Sequence, residues 1–218
     1  MIRSLPNHLF STDEVVRRLE ESGIDLAYAT AIRQYCSNLR SRDLPILLVH
    51  DWVSQLVGWD TKTIYAVSAC QKAFYRHYHI GKNNGSIRHI YEPLPTLKSI
   101  QSILLRHVFE KLPIHKSSYA YRKGNTIRKN ARIHLRQPQI LKLDIRDFFG
   151  SIKQRYVSDI LIDSGYTKEV STLLARLCTI DGSLAQGAPT SPSISNAVMF
   201  PIDEELMTHF SALYHLGM

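Results

Sequence analysis

Along the first third of the chain the apolar positions recur at helical spacing. Val15, Val16 and Leu19 follow Ser11 and Glu14, which stand as in a capping box, and Gly23 sits where such a helix would stop. The same period predicts helices over residues 26–40, 46–57 and 61–72, the last with Asp60 at its N-cap. From Ala73 the pattern changes. Residues 74–80 and 87–91 are rich in aromatic and β-branched side chains and flank Gly81-Lys82-Asn83-Asn84-Gly85, which predicts a β-hairpin with a basic, flexible tip. After Pro93 and Pro95, the spacing of Leu97, Ile100, Ile103, Leu104 and Val108 predicts an amphipathic helix that ends before Pro113.

Residues 114–138 read as a basic loop with a short helix. Residues 140–145 form a short apolar run, the signature of a buried strand, with Asp144 at or near its end. Helices are predicted at 153–164 and 168–179, then a turn at Asp181-Gly182. Gln186-Gly187-Ala188-Pro189 follows, and Ser191-Pro192 can open a helix that runs through Ser195, Val198 and Leu206. No internal repeat or clear linker interrupts this order. The expected class is α+β, a helical N-terminal layer on a sheet-bearing core.

Composition narrows the class of protein. The chain has 218 residues, 44% hydrophobic and 21% charged, which excludes collagen-like, low-complexity and wholly disordered sequences. No apolar run approaches the roughly 20 residues of a bilayer span, and the first ten residues lack a signal peptide's apolar core, so a cytoplasmic protein without membrane contact is expected. Cys36, Cys70 and Cys178 are far apart and form no C-x-x-C pair, so they are expected to be reduced core thiols.

Charge points to a partner. The formal net charge is +8, and between residues 111 and 155 there are 12 Lys or Arg against two acids, Asp144 and Asp147. Such a stretch carries a positive field suited to a polyanion, nucleic acid first, although a solvated basic face without a partner has the same composition.

Two segments carry candidate chemistry. In L-K-L-D-I-R-D-F-F-G-S-I, residues 141–152, a carboxylate at the end of an apolar strand sits on a rigid element and suits Mg²⁺; an Asp there also serves as a cap or turn former. In L-A-Q-G-A-P-T-S-P-S-I-S-N, residues 184–196, Gln186 offers an amide, Gly187 permits close backbone approach, and the helix after Pro192 turns its positive end toward the loop, where an anion could bind.

Together these segments resemble two successive palm motifs of reverse transcriptases. R-H-I-Y-E-P-L-P-T-L-K-S-I-Q at 88–101 resembles the fingers segment of the bacterial branch, and N-A-R-I-H at 130–134 resembles the N-A-x-x-H signature of retron reverse transcriptases. The resemblance covers roughly residues 70–218. It implies a right-hand polymerase: a helical N-terminal region (1–72), fingers (73–139) and a partial palm (140–218), with the thumb absent. It implies Asp144 as a catalytic carboxylate for two Mg²⁺ ions, with the Ile145 carbonyl as a further ligand, and Phe149 as the steric gate against a ribose 2′-hydroxyl. The amides of Asp147 and Phe148 would meet the triphosphate, Arg88 would clamp it, and Gln186 and Gly187 would lie beside its sugar and base. With Ser86 standing where relatives have a cation, Lys82 on the hairpin is expected as a further phosphate ligand. RNA contacts are expected at Lys98, Arg122, Lys123, Arg128, Lys129, Asn130 and His134, with His134 equally readable as a buried histidine tying its helix to the palm.

The implied activity is RNA-directed DNA synthesis of retron type. Its template is a structured noncoding RNA, its substrates are deoxynucleotides, its product is an RNA–DNA molecule (msDNA), and its setting is anti-phage defence with an effector protein. Two departures stand out: Ser86 where relatives have Lys or Arg, and Gly150 where they often have Pro. The family's next motif, Y-x-D-D, would begin near Gly217-Met218, so the 218-residue chain alone is expected not to polymerise DNA; Asp181, Asp203, Glu204 and Glu205 are poor replacements by position. A truncated reverse-transcriptase-like RNA-binding scaffold and a non-retron defence reverse transcriptase are the alternatives. His77 and His79 share a strand face, but with no third ligand at metal spacing they read as hairpin surface or nucleic-acid contacts.

Overall fold

Helix α1 (Leu26–Ser41) turns Ala29, Ile32, Cys36 and Leu39 inward at intervals of three and four residues, as its periodicity predicts. This computed structural model describes residues 17, 25–81, 85, 87–122, 124–137 and 140–215. The capping-box helix predicted at 11–23 therefore lies outside the described residues, apart from Arg17.

The helix predicted over 46–57 is shorter, α2 (His50–Val57). Leu44, Ile46 and Leu47 are buried in a run without helix or strand instead. Its carbonyls are taken by tyrosines from elsewhere: Tyr166 donates to Pro45 O at 3.1 Å and Tyr35 to Leu47 O at 2.6 Å. Helix α3 (Thr61–Ala69) is capped by Asp60, whose Oδ1 accepts from Thr63 N at 2.9 Å, and a 3₁₀ turn (Gln71–Phe74) replaces its predicted last residues.

The hairpin forms as expected. Strand β1 (Tyr75–Gly81) pairs antiparallel with β2 (Ile87–Pro93), with Tyr75 opposite Pro93 and His79 opposite His89. Helix α4 (Pro95–His107) follows with proline at its start, and its buried Gln101 donates to Tyr75 Oη at 2.8 Å and to Leu177 O at 2.9 Å, tying hairpin and helices together. The short helix of the basic loop is α5 (Ile127–Ile133), opened by Thr126, whose hydroxyl accepts from Lys129 N.

Residues 140–145 are not a buried strand. They form neither helix nor strand, are exposed and have no strand partner among the described residues; Leu141 and Leu143 are 67% and 72% exposed. Apolar character favours a strand, but only a neighbouring strand supplies the hydrogen bonds that make one. A one-turn helix the sequence did not signal, α6 (Phe148–Ser151), comes next, then α7 (Gln154–Asp163) and α8 (Lys168–Cys178). The Asp181-Gly182 turn joins the two-residue strands β3 (Thr179–Ile180) and β4 (Ser183–Leu184), both turn residues having positive φ, 49° and 72°. Helix α9 (Ser191–His215) completes the order.

The arrangement is α+β: helices with two small antiparallel sheets. Helix α8 is central, packing against α2, α3, α4 and α7, and its Val170, Leu173, Leu174, Leu177 and Cys178 join a core cluster drawn from Leu39 to Ala197. Cys36 and Cys178 are buried thiols, and burial pushes Cys178 up to about 12; Cys70 is exposed, against expectation, at the C-cap of α3, where the backbone has left helical geometry (φ −119°, ψ 49°). Among the described residues no helix is long and apolar enough to cross a membrane.

Candidate functional site

One cavity of about 470 Å³ gathers polar groups from three stretches of chain. Arg88, His89 and Tyr91 come from β2, Arg146 and Asp147 from the segment before α6, and Asp181, Ser183 and Gln186 from the β3–β4 hairpin and the loop beyond it.

Backbone contacts hold these walls in place. Tyr91 N donates to Gln186 O at 2.8 Å, so the edge of β2 is fastened to the glutamine loop. Gly187 makes that approach possible: its φ is +120°, and a Cβ there would stand 2.9 Å from Tyr91 O and 3.1 Å from Ile90 Cγ2. The close approach expected of Gly187 is thus an approach to β2. On the opposite wall, Gln154 N donates to Gly182 O and Leu184 N to Ile152 O, while Lys153 Nζ donates to Gly150 O and Ser183 Oγ at 2.8 and 2.9 Å. These bonds lock the segment around α6 to the small hairpin.

Gly150, which the sequence left without a reason, has a local one. The Asp147 carboxylate occupies the volume a Cβ at 150 would take, with its Cγ 2.7 Å from that position. Asp147 itself is at φ 47°, a left-handed conformation that aspartate tolerates at a helix start. Asp181 is ion-paired with Lys72 at 3.0 Å, with both side chains well exposed, a pair that contributes little to stability.

Of the predicted site residues, Arg88, Asp147 and Gln186 are brought together at this cavity, and Gly187 lies behind Gln186. Asp144 and Ile145 are exposed on the irregular segment before α6 and do not line it. Phe148 and Phe149 are half-buried against the core with ring centroids 5.6 Å apart and do not line it either. Lys98 is exposed on α4, and Arg122, Arg128, Lys129, Asn130 and His134 are exposed on or beside α5. His134 is therefore not a buried tie; the loop is tied down elsewhere. Asn196 of α9 accepts from Ser118 Oγ at 3.0 Å and donates to Ala120 O at 2.9 Å, and buried His115 meets Glu204 at 3.1 Å. Lys82 and Lys123 lie outside the described residues.

The sequence reading missed Arg146, Tyr91 and Asp181 as cavity residues, and it missed His89. The last was within reach: a hairpin turn centred near residue 83 or 84 sets His89 opposite His77 or His79. Arg146 and Asp181 gave no such signal, because only the docking of the β3–β4 hairpin on residues 150–154 brings them together.

Comparison with known proteins places the chain. No family model matches it. It is 37% identical to the retron Ec73 reverse transcriptase of Escherichia coli over 153 residues, 65% of this chain and 48% of that one. It is 30% identical to the retron Ec86 reverse transcriptase of Escherichia coli over 168 residues, 76% and 52% of the two chains. The retron Mx162 reverse transcriptase of Myxococcus xanthus matches at 35% over 150 residues, 61% of this chain and 31% of that one. The chain thus spans about half the length of the first two relatives and about a third of the third. With four ordered motifs and these identities in agreement, the chain is a relative of the retron reverse transcriptases.

Proposed function

We propose that the chain forms part of a retron-type RNA-directed DNA polymerase, with a helical layer over 1–72, fingers over 73–139 and part of the palm over 140–218. The observation that supports this most directly is the Tyr91–Gln186 backbone bond, which holds the strand bearing Arg88 against the loop bearing Gln186 around one cavity. Arg88 and Arg146 there supply the positive charge that a deoxynucleoside triphosphate requires, and Gln186 an amide for its sugar and base. The amides of Asp147 and Phe148 are proposed triphosphate donors, and Phe149 the gate against a 2′-hydroxyl. The basic surface of Lys98, Arg122, Lys123, Arg128, Lys129, Asn130 and His134 would hold a structured noncoding RNA template. The RNA–DNA product and an anti-phage effector are the proposed partners, in the cytoplasm.

Asp144 and the Ile145 carbonyl are the proposed Mg²⁺ ligands. Among the described residues, however, Asp144 belongs to no cluster of three His, Cys, Asp or Glu donors able to hold an ion. The donor set present therefore does not fit two ions, and the 218-residue polypeptide unaided is expected not to extend a primer. The same observation favours a second reading, an RNA-binding scaffold without chemistry.

The test is RNA-templated DNA synthesis by the product of the native locus, after its intact mass is measured, with Asp144→Ala beside it. Extension lost in that variant supports the polymerase. A product that binds RNA and makes no DNA supports the scaffold.

A further inference from the structure

The face of the hairpin that carries odd-numbered residues is unusual in its chemistry. Strand alternation puts His77 and His79 on one side of β1, and the antiparallel register sets His89 opposite His79 and Tyr91 opposite His77. Three imidazoles therefore converge from both strands. One ligating nitrogen from each lies within 4.8 Å of the other two. The His77 and His89 rings are stacked with centroids 5.3 Å apart, and His79 meets both edge-on at 4.6 and 4.7 Å.

We infer that His77, His79 and His89 form a site for a divalent transition-metal ion of the Zn²⁺ class, bridging the two strands of the hairpin. The ligand type selects the ion: imidazole suits Zn²⁺, Ni²⁺ and Cu²⁺ and not Mg²⁺, which takes oxygen donors. The geometry is close to what is needed. Bonds of about 2.0–2.1 Å in a tetrahedral shell put neighbouring nitrogens about 3.3 Å apart, and His77 Nε2 and His89 Nδ1 are already at 3.1 Å. All three rings are exposed, so the remaining approach needs side-chain rotation only, and solvent can fill a fourth position.

The hydrogen bond is compatible with the ligand form too. The His77–His89 contact requires at least one neutral ring as acceptor, the form in which imidazole binds a metal. Two carboxylates lie near, each already paired: Glu92, on the opposite face of the hairpin, with Arg76 at 3.9 Å, and Asp181, which lines a cavity with His77 and Tyr91, with Lys72 at 3.0 Å.

An ion here would staple β1 to β2 at the strand that also walls the cavity through His89 and Tyr91 and is fastened to Gln186. Its occupancy would set how far that wall can move. The inference rests on the hairpin alone and stands whether or not the cavity is a polymerase site.

The untagged 218-residue chain, stripped with chelator, is titrated with Zn²⁺ by calorimetry and with Co²⁺ by visible absorption. One ion per chain is expected, with His79→Asn and His89→Asn each weakening affinity by about tenfold or more and His209→Asn leaving it unchanged. Affinity unaffected by His79→Asn and His89→Asn overturns the site, as does the absence of saturable binding. Because a variant hairpin can fail to fold, a second measurement uses the unaltered protein: diethyl pyrocarbonate modification, mapped by mass spectrometry with and without Zn²⁺. Protection of residues 77, 79 and 89 above the other histidines is expected, and uniform modification overturns the inference.

Discussion

Residues 168–197 and residues 127–145 contain apolar side chains of the same kinds, and the fold treats them in opposite ways. In the first, Val170, Leu173, Leu174, Leu177, Ile180, Leu184 and Ile194 are all buried. In the second, Ile127, Ile133, Leu135, Ile140, Leu141, Leu143 and Ile145 are all exposed, Ile127 at 91%. Hydrophobicity is therefore not what separates them. Helix α8 satisfies its own backbone and needs only a neighbour for its apolar face, which α2, α3, α4 and α7 provide. A non-helical run such as 140–145 needs partners for its backbone groups before burial is favourable, as Tyr166 and Tyr35 supply for Pro45 and Leu47, and the described residues give it no strand partner.

Leucine deletions should separate the two regions most strongly. Leu174→Ala should cost about 2–5 kcal/mol, since the side chain is fully buried and leaves a cavity. Leu143→Ala should fall within about 0.5 kcal/mol. Urea unfolding of the two variants makes the comparison, and equal losses would mean that 140–145 is packed in solution after all. Next comes Gly187→Ala, which forces a side chain into a left-handed backbone and against Tyr91 O. A loss of about 1–3 kcal/mol is expected, whereas Gly150→Ala should cost less because the group it meets is the end of a flexible aspartate.

The same contrast explains how much the sequence disclosed. Helices and the β1–β2 hairpin were legible because each is set by neighbours in sequence: Asp60 caps α3, Asp181-Gly182 makes a two-residue turn, and His77 and His79 share a face by strand alternation. Arg88 and Gln186 were singled out through motif resemblance, and the structure sets them around one cavity. Residues 46–49 were misread as helix because contacts distant in sequence hold this run, Tyr166 donating to Pro45 O and Tyr35 to Leu47 O. Arg146 and Asp181 stayed invisible because no local pattern encodes the docking of β4 on residues 150–154.

Asn196, at the end of the first region, is the clasp on the loop that leads into the second, since its amide bonds both Ser118 and Ala120 from α9. Asn196→Ala should cost about 1–2 kcal/mol and speed hydrogen exchange in residues 115–120 while leaving α8 protected. Exchange that quickens equally in both would show that the loop is part of the core and not an appendage of it.

The smallest effect on stability should come from the basic surface. Arg122, Arg128 and Lys129 are exposed, so replacing them together with Lys123 by Ala should leave the unfolding free energy within about 0.5 kcal/mol. If this surface holds RNA as proposed, the same variant should bind it more weakly, and the slope of log affinity against log salt should become shallower by about 3, the loss expected for four phosphate contacts on a single strand. Fluorescence anisotropy with a structured RNA at several salt concentrations measures both quantities. An unchanged slope would remove the region from the interface and leave its charge as a solvated face. A shallower slope at unchanged stability would show that the basic stretch from 122 to 129, which opens the exposed region, does its work against a partner, while 168–197 is buried because its work is done within the chain.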